Sequence, residues 1–232
     1  MSQSAAGYPR LLALGDAAFT VEFGDGIAPA THARVLGFAA ALETLAADGR
    51  LPGVLEWVPT FRSVSVHFDP DRVDSAALSA ALLALAGEGR RATASGRVWT
   101  LPVCFDDDFA PDLADVAAHA GLTREAVVDL LAATEFTVYM LGFLPGFPYL
   151  GGLPAALEMP RLATPRTCVA AGSVAIAGRM CAVYPWDSPG GWRLVGRTGA
   201  RLFDATDPAR PALLAPGDRV RWQPVARDRL GG

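Results

Sequence analysis

The feature that most limits the fold is a long segment rich in glycine and proline. Residues 142–199 contain 10 glycines and 7 prolines among 58 residues, about twice the density of the rest of the chain. Such a composition interrupts helices and favours short strands joined by elaborate turns. Together with short β-forming runs at 136–141, 174–176 and 219–222, it predicts a small β-barrel in the second part of the chain.

The first part of the chain predicts a different arrangement. Residues 10–23 and 54–68 each read as two short strands around a turn, because apolar and polar residues alternate there. A helix is predicted at 29–47, and a second helix follows Asp74, a residue type that suits a helix N-cap. This order of elements predicts a small α+β sandwich with its helices on one face of a sheet.

The predicted boundary between the two parts is the stretch 87–96, which reads GEGRRATASG and has no hydrophobic periodicity. The predicted fold class is α+β, with an N-terminal α+β domain at 1–92 and a β-barrel domain at 97–232. The second domain is expected to open with a strand at 98–105 and two short helices, the first with Pro111 at position N1.

The charged residues and cysteines exclude several classes of function. All 20 basic residues are arginine, so this chain supplies no Schiff-base, general-base or phosphate-loop lysine. A net charge of -4 gives no basic footprint for nucleic acid or for an anionic membrane. No His, Cys or Asp residues are spaced as metal ligands usually are, and the sequence has no CxxC motif. It also has no secretory signal and no apolar run of membrane-spanning length. We therefore expect a cytoplasmic protein without a metal site.

Three loops in the second part carry the candidate chemistry. Loop 1 (residues 141–152, LGFLPGFPYLGG) holds aromatic side chains between glycines and prolines, which predicts a stiff apolar surface for a ligand or partner. A buried barrel corner is the alternative.

Loop 2 (residues 160–173, PRLATPRTCVAAGS) presents Arg161 and Arg166, whose guanidinium groups suit a carboxylate or a phosphate. Ordinary surface salt bridges are the alternative there.

Loop 3 (residues 184–198, YPWDSPGGWRLVGRT) combines a carboxylate, a hydroxyl and a glycine pair. Gly190 and Gly191 are placed to aim successive backbone N–H groups at one anion, in a nest-like arrangement. Asp187 and Ser188 precede them, and Arg197 follows. This combination predicts a site for a small acid or a phosphate, and a simple tight turn is the alternative.

The loop motifs resemble a known family. The runs TVYMLGFLPGFPYLGGLP, AGSVAIAG, YPWDSPGGWRLVGRT and PALLAPGDRVRW are similar to those of the KipI-like family, which includes the B subunit of 5-oxoprolinase, allophanate hydrolase subunit 1 and the carboxyltransferase subdomains C and D. The resemblance is dense over about residues 136–222 and looser before them. It implies an N-terminal α+β domain followed by a cyclophilin-like β-barrel.

The resemblance also implies a function. The chain would be one subunit of an ATP-dependent 5-oxoprolinase, inactive alone, working with the homologous C subunit of that enzyme and its sugar-hydrolase-like A subunit. ATP, with Mg²⁺, would be a co-substrate, and no tightly bound cofactor is expected. The alternatives are a KipI-like regulator that inhibits a sensor histidine kinase, and a part of a carboxyltransferase that processes urea, allophanate or a related amide.

On this basis the candidate residues fall into two sets. The expected catalytic residues are Asp187, Ser188 and Arg197. The expected substrate-binding residues are Phe143, Phe147, Tyr149, Arg161, Arg166, Ser173, Gly190, Gly191 and Trp192. The chain departs from the family where Leu131 replaces a frequent histidine and Ala170 replaces a usual proline, and we expect small packing changes there.

Overall fold

The computed structural model describes residues 7–92 and 96–231, which divide into an N-terminal and a C-terminal unit. The predicted boundary at 87–96 includes residues 93–95, which lie outside the described residues.

The N-terminal unit is built on a four-stranded antiparallel sheet of strand order β1-β2-β4-β3. Two helices share one apolar core with it. In β4 the side chains of Val64, Val66 and Phe68 are buried, as the alternation of the sequence predicts. The elements are β1 (Arg10–Ala13), β2 (Ala18–Glu22), α1 (Pro29–Ala47), β3 (Val54–Pro59), β4 (Ser63–Phe68) and α2 (Ser75–Gly87).

Helix α2 begins where the sequence predicts. The Asp74 carboxylate accepts hydrogen bonds from the backbone N–H groups of Ala76 and Ala77, at 2.9 and 3.1 Å. These two N–H groups have no partner inside the helix, so the N-cap stabilises its first turn. The predicted cap is confirmed.

The C-terminal unit contains a seven-stranded sheet of order β12-β9-β10-β7-β6-β13-β5 and a separate two-stranded ribbon of β11 and β8. All neighbouring strands are antiparallel except β13 and β5. Its helices and strands are β5 (Val98–Val103), α3 (Leu113–Ala120), α4 (Arg124–Ala133), β6 (Glu135–Leu141), β7 (Pro148–Gly151), β8 (Arg166–Val169), β9 (Ser173–Ala177), β10 (Met180–Val183), β11 (Ser188–Gly190), β12 (Arg193–Arg197) and β13 (Arg219–Pro224).

The seven-stranded sheet curls until its two edges meet. Cys104, directly after β5, and Arg197, at the end of β12, exchange two backbone hydrogen bonds of 2.8 and 2.9 Å. Because β5 and β12 are the two edge strands, this bridge joins the ends of the sheet. The result is a mixed α/β unit with a curled half-barrel sheet. The prediction of a β-barrel is confirmed to this extent.

Strands β9 and β10 are buried on both faces. One face joins the main core, which the helices α3 and α4 also enter. The other face belongs to a second, smaller core that contains residues of the predicted loops. Facing the main core are Val174, Ile176, Cys181 and Val183, and facing the smaller core are Ala175, Ala177 and Ala182.

Two details of the C-terminal unit differ from the sequence prediction. The first strand ends at Val103. Helix α3 begins at Leu113 with Asp112 as its N-cap, so Pro111 precedes the cap and does not occupy N1. The reason is tertiary, since Asp112 exchanges hydrogen bonds with the backbone of Leu194 in β12 and stays outside the helix.

The departure at Leu131 has a clear physical setting. Leu131 is fully buried in α4 and belongs to the main apolar core. An imidazole without a hydrogen-bond partner would be costly there. Leucine at this position therefore contributes to packing.

Asp218 provides a stability test of this unit. Its buried carboxylate accepts hydrogen bonds from Arg97 N, Trp99 Nε1 and Ala215 N, at 2.9, 2.9 and 3.0 Å. We expect Asp218→Ala to lower the free energy of unfolding by about 3 kcal/mol, because three donors lose their acceptor. The measurement is chemical denaturation followed by tryptophan fluorescence.

The comparison variant is Asp74→Ala, which removes a helix cap and should cost about 1 kcal/mol. If Asp218→Ala costs no more than Asp74→Ala, the three hydrogen bonds contribute little to stability.

Candidate functional site

Four aromatic side chains pack around Phe147 on the outer face of β9 and β10. Phe147 is only 2% exposed. Its ring centroid lies 5.4 Å from Phe143, 5.1 Å from Tyr149, 5.1 Å from Tyr184 and 6.2 Å from Trp192, mostly in edge-on contacts. These geometries are favourable for aromatic rings. The five residues together are called the aromatic cluster below.

The aromatic cluster is partly support and partly surface. Phe147 and Trp192 are buried, so these two predicted binding residues form the base of the cluster. Phe143 is 63% exposed and has a φ of 71°, a left-handed backbone that a phenylalanine adopts only at a cost. Loop 1 therefore holds one exposed aromatic ring in a strained position above a packed base.

Small residues make room for this packing. Ala175, Ala177 and Ala182 lie on the sheet in the same small core. Gly190 lies against Tyr184, where an added Cβ would overlap the phenol oxygen. Neither Gly190 nor Gly191 has the left-handed φ that an anion nest requires, so the predicted nest is wrong. Gly190 serves close packing instead, whereas a Cβ at Gly191 would make only ordinary contacts with Pro165.

Loops 2 and 3 are held together by backbone contacts. The N–H of Leu162 donates to the carbonyl of Gly191 at 2.7 Å. The Asp187 carboxylate accepts a hydrogen bond from Ala171 N at 2.7 Å, so this expected catalytic group has a structural contact. Trp186 Nε1 donates to the Pro145 carbonyl at 3.0 Å and connects loop 3 to loop 1. The three loops therefore converge on one region.

Loop 2 runs beside the Tyr184 phenol, because Gly190, the strand partner of Arg166, packs against it. Burial raises the pKa of this phenol, while the backbone N–H of Trp192 and the charges of Arg161 and Arg166 act in the opposite direction. The Arg161 guanidinium also lies over the Trp192 ring, 5.8 Å from its centroid. Loop 2 therefore brings two cations to the aromatic cluster.

Arg166 is held by a carboxylate that lies outside the three loops. Its Nη2 donates to Asp112 Oδ1 at 2.8 Å, and Asp112 is 5% exposed. The Nη1 atom of Arg166 is buried and has no hydrogen-bond partner among the residues that the structure describes. Leaving a buried donor unpaired is costly, so Arg166 Nη1 still has a hydrogen bond to donate.

A second unpartnered group lies on the same ribbon. Ser188 is 8% exposed, and its Oγ is buried without a hydrogen-bond partner in the described ranges 7–92 and 96–231. Ser188 is two residues from Gly190, which is paired with Arg166 across β11 and β8. The ribbon thus carries two polar side-chain groups that are still available for hydrogen bonds.

Arg197 and Ser173 form a neighbouring pair. They are opposite each other in β12 and β9, and Ser173 is buried. The Arg197 guanidinium lies over the ring of Phe109, 5.4 Å from its centroid, and Phe109 is outside the three loops. The structure gives Arg197 a stacking contact away from the aromatic cluster.

Two residues of this site are missing from the sequence prediction. Tyr184 is visible in the sequence only as part of a loop motif, and Asp112 only as part of a helix start, since an aspartate before a helix usually serves as a cap. Nothing in the sequence places Asp112 beside Arg166, because 54 residues separate them. Only the packing of α3 against β12 makes that contact.

Two surface cavities lie at other positions. One of about 550 Å³ is lined by residues that include His119 and Glu158, and it reaches loop 2 at Pro160. Another of about 290 Å³ lies beside Phe105 and Arg124.

Within the part of the chain that the structure describes, no three His, Cys, Asp or Glu side chains are grouped to hold a metal ion. No helix of these residues is both long and apolar enough to cross a membrane.

The strain at Phe143 can be measured by comparing two variants. Phe143→Gly and Phe143→Ala both remove the ring, but only glycine adopts the left-handed backbone without a steric penalty. We expect Phe143→Gly to be more stable than Phe143→Ala by about 1 kcal/mol in chemical denaturation. An equal or reversed order would mean that solution conditions relax the φ of 71° at this position.

The cysteines predict a simple labelling result. Cys168 in β8 is exposed, whereas Cys104 and Cys181 are buried. Burial raises the pKa of Cys181 to about 12 and also raises that of Cys104, so both form little thiolate near pH 8. We expect a thiol reagent to modify Cys168 alone in the native protein and all three cysteines in denaturant. Cys168→Ser should remove the fast reaction, and a second fast thiol in that variant would contradict the burial.

Comparison with known proteins places the chain in a family. The sequence of residues 9–214 matches the protein family called carboxyltransferase domain, subdomain C and D. The B subunit of the Escherichia coli O157:H7 5-oxoprolinase is 40% identical over 218 residues, covering 93% of this chain and 95% of that protein. The B subunit of the Bacillus subtilis (strain 168) 5-oxoprolinase is 37% identical over 220 residues, covering 90% of each.

Solved structures agree with this. The crystal structure of TTHA0988 is 37% identical with a TM-score of 0.78, covering 90% of this chain but 40% of that one. The urea amidolyase of K. lactis is 24% identical with a TM-score of 0.75, covering 95% of this chain and 15% of that one, which supports the fold alone. This chain thus spans most of the length of its 5-oxoprolinase relatives and less than half of TTHA0988. From these matches, the chain belongs to the family of the carboxyltransferase domain, subdomain C and D.

Proposed function

We propose that this chain is a subunit of an ATP-dependent 5-oxoprolinase, which converts 5-oxoproline, ATP and water into glutamate, ADP and phosphate. The 40% and 37% identities to two 5-oxoprolinase B subunits over nearly the whole chain support this function. The observation that carries it is the pair of unpartnered buried groups, Arg166 Nη1 and Ser188 Oγ, on the ribbon beside the aromatic cluster.

The chemistry requires directed hydrogen bonds and protection from water. The γ-phosphoryl group of ATP is transferred to the lactam oxygen, water attacks the lactam carbon, and the ring C–N bond breaks to give the amine of glutamate. A second water then cleaves the acyl phosphate and releases phosphate. Charge develops on oxygen in each step, so preorganised donors lower the barrier.

The site residues are assigned roles on this basis. Arg161 and Arg166 would bind oxygen atoms of the substrate or of the transferred phosphoryl group, and Ser188 would donate a hydrogen bond to an oxyanion. Phe143 and Tyr149 would contact the apolar ring of the substrate. We retain as predictions a proton-transfer role for Asp187, anion binding by Arg197 and contributions from Ser173, Gly190, Gly191, Phe147 and Trp192.

The partners and co-substrate follow from the same proposal. The names of the relatives describe them as subunits, which supports a multi-subunit assembly. That assembly would contain the homologous C subunit of 5-oxoprolinase and its sugar-hydrolase-like A subunit. Mg²⁺ often binds through water and substrate phosphates, so ATP would carry its metal with it, and the arginines would contact phosphate oxygens that the metal leaves free. A cytoplasmic location fits this use of ATP.

The finer description of the fold belongs to the same proposal. The curled half-barrel sheet would be a cyclophilin-like barrel, and the N-terminal unit an α+β sandwich. The corresponding domains would be 1–92 and 97–232.

The test is ATP hydrolysis by the reconstituted subunits with and without 5-oxoproline. We expect Arg166→Gln to lower the 5-oxoproline-stimulated rate by about 100-fold, because a directed donor to the reacting group is lost. Arg221→Gln is the matched control. Arg221 is an exposed residue of β13 that pairs with Glu135 and lies outside the three loops, so this variant should keep the wild-type rate.

Three other results of this assay would contradict parts of the proposal. Wild-type turnover by Arg166→Gln would remove Arg166 from the site. A stable complex that never responds to 5-oxoproline would favour another amide, such as urea or allophanate. If no complex forms and the chain instead inhibits a sensor histidine kinase, the regulatory alternative is correct.

A further inference from the structure

Asp112 forms a rigid link between three elements. Its Oδ1 accepts a hydrogen bond from Arg166 Nη2 in β8 at 2.8 Å, and its Oδ2 accepts one from Leu194 N in β12 at 2.7 Å. The N–H of Asp112 donates to the Leu194 carbonyl at 3.1 Å. Both carboxylate oxygens are therefore engaged before α3 begins. This arrangement fixes the direction of the Arg166 guanidinium.

The same contact changes the charge that Arg166 presents. A buried carboxylate 2.8 Å from a guanidinium largely cancels its field at longer range, because little water screens the pair. The Nη1–H groups keep their direction and remain without a partner among the described residues. Arg166 keeps its own charge, but the Arg166–Asp112 pair is a directed donor with little net charge.

Arg161 has the opposite character. Its side chain is exposed, and its guanidinium lies over the Trp192 ring. Among residues 7–92 and 96–231 it makes no ion pair. Its positive charge is therefore not cancelled by a neighbouring carboxylate. Arg161 lies over Trp192, and Gly190, the strand partner of Arg166, packs against the Tyr184 phenol. One ion-paired and one unpaired guanidinium therefore border the same aromatic cluster.

We propose that Asp112 is a positioning residue that separates the tasks of these arginines. Arg166, whose positive charge is balanced by the Asp112 carboxylate, donates Nη1 to a neutral carbonyl oxygen, and Arg161 binds an anionic group such as a carboxylate or a phosphate. This inference rests on the proposed function only for the identity of the substrate, in which the carbonyl is the lactam oxygen of 5-oxoproline. It assigns the two ends of the substrate to different residues.

The test uses two small probes that each carry one of these groups. Pyrrolidin-2-one has the lactam and no carboxylate, and inorganic phosphate is an anion with no lactam. Their dissociation constants are measured by saturation-transfer NMR on the reconstituted complex, or on the full chain if no complex forms. This measurement needs no turnover, so it is independent of the 5-oxoproline assay.

For Asp112→Asn we expect affinity for pyrrolidin-2-one to fall about tenfold, because the Arg166 donor loses its direction. Affinity for phosphate should rise about fivefold, because the charge of Arg166 is released. Arg161→Gln should show the reverse pattern, with phosphate weakened about tenfold and pyrrolidin-2-one unchanged. Because Arg161 is exposed, this second variant should fold even if Asp112→Asn does not.

The matched control is Asp218→Asn. It changes another buried carboxylate of the same unit, one that accepts hydrogen bonds from backbone N–H groups and Trp99 and from no guanidinium among the described residues. It should lower stability and leave both dissociation constants unchanged. Equal weakening of both probes by Asp112→Asn, or no binding of pyrrolidin-2-one by the wild type, would overturn the inference. Absence of 5-oxoproline turnover with the expected probe pattern would refute only the proposed substrate.

Discussion

The candidate site depends on the burial of strands β9 and β10 on both faces. A strand buried on one face can carry polar residues on the other, but here both faces must be covered by apolar groups. The inner face is covered by the main core and the outer face by the aromatic cluster. Loops 1 and 3 are therefore part of a core, and this packing gives their backbone and side chains fixed positions.

Fixed positions explain how the site can hold unpaired polar groups. A buried donor without a partner is unfavourable, and it persists only when the surrounding structure cannot rearrange to satisfy it. Arg166 Nη1 and Ser188 Oγ are in this situation beside a tightly packed aromatic base. The left-handed backbone of Phe143 is a further local cost that the surrounding packing maintains.

Arginine is well suited to forming an ion pair and binding a ligand at the same time, and this chain contains no lysine. Its planar guanidinium group can donate to a carboxylate on one side and to a ligand on the other, which a single ammonium group does less directionally. Arg166 shows the first half of this arrangement with Asp112. Arg161 places its guanidinium over the Trp192 ring and remains exposed to solvent.

The sequence by itself determined the local structure: the helix at 29–47, the N-cap Asp74, the alternation in β4 and the three loops, because these depend on neighbours a few residues away. It also predicted Arg166 and Ser188 as site residues from residue type. Only the tertiary structure decided that Asp112 pairs with Arg166, that Tyr184 lies under Gly190, and that Arg197 stacks on Phe109. These contacts join residues distant in the chain, and they arise from the packing of helices and loops on a curled sheet, which no local pattern encodes.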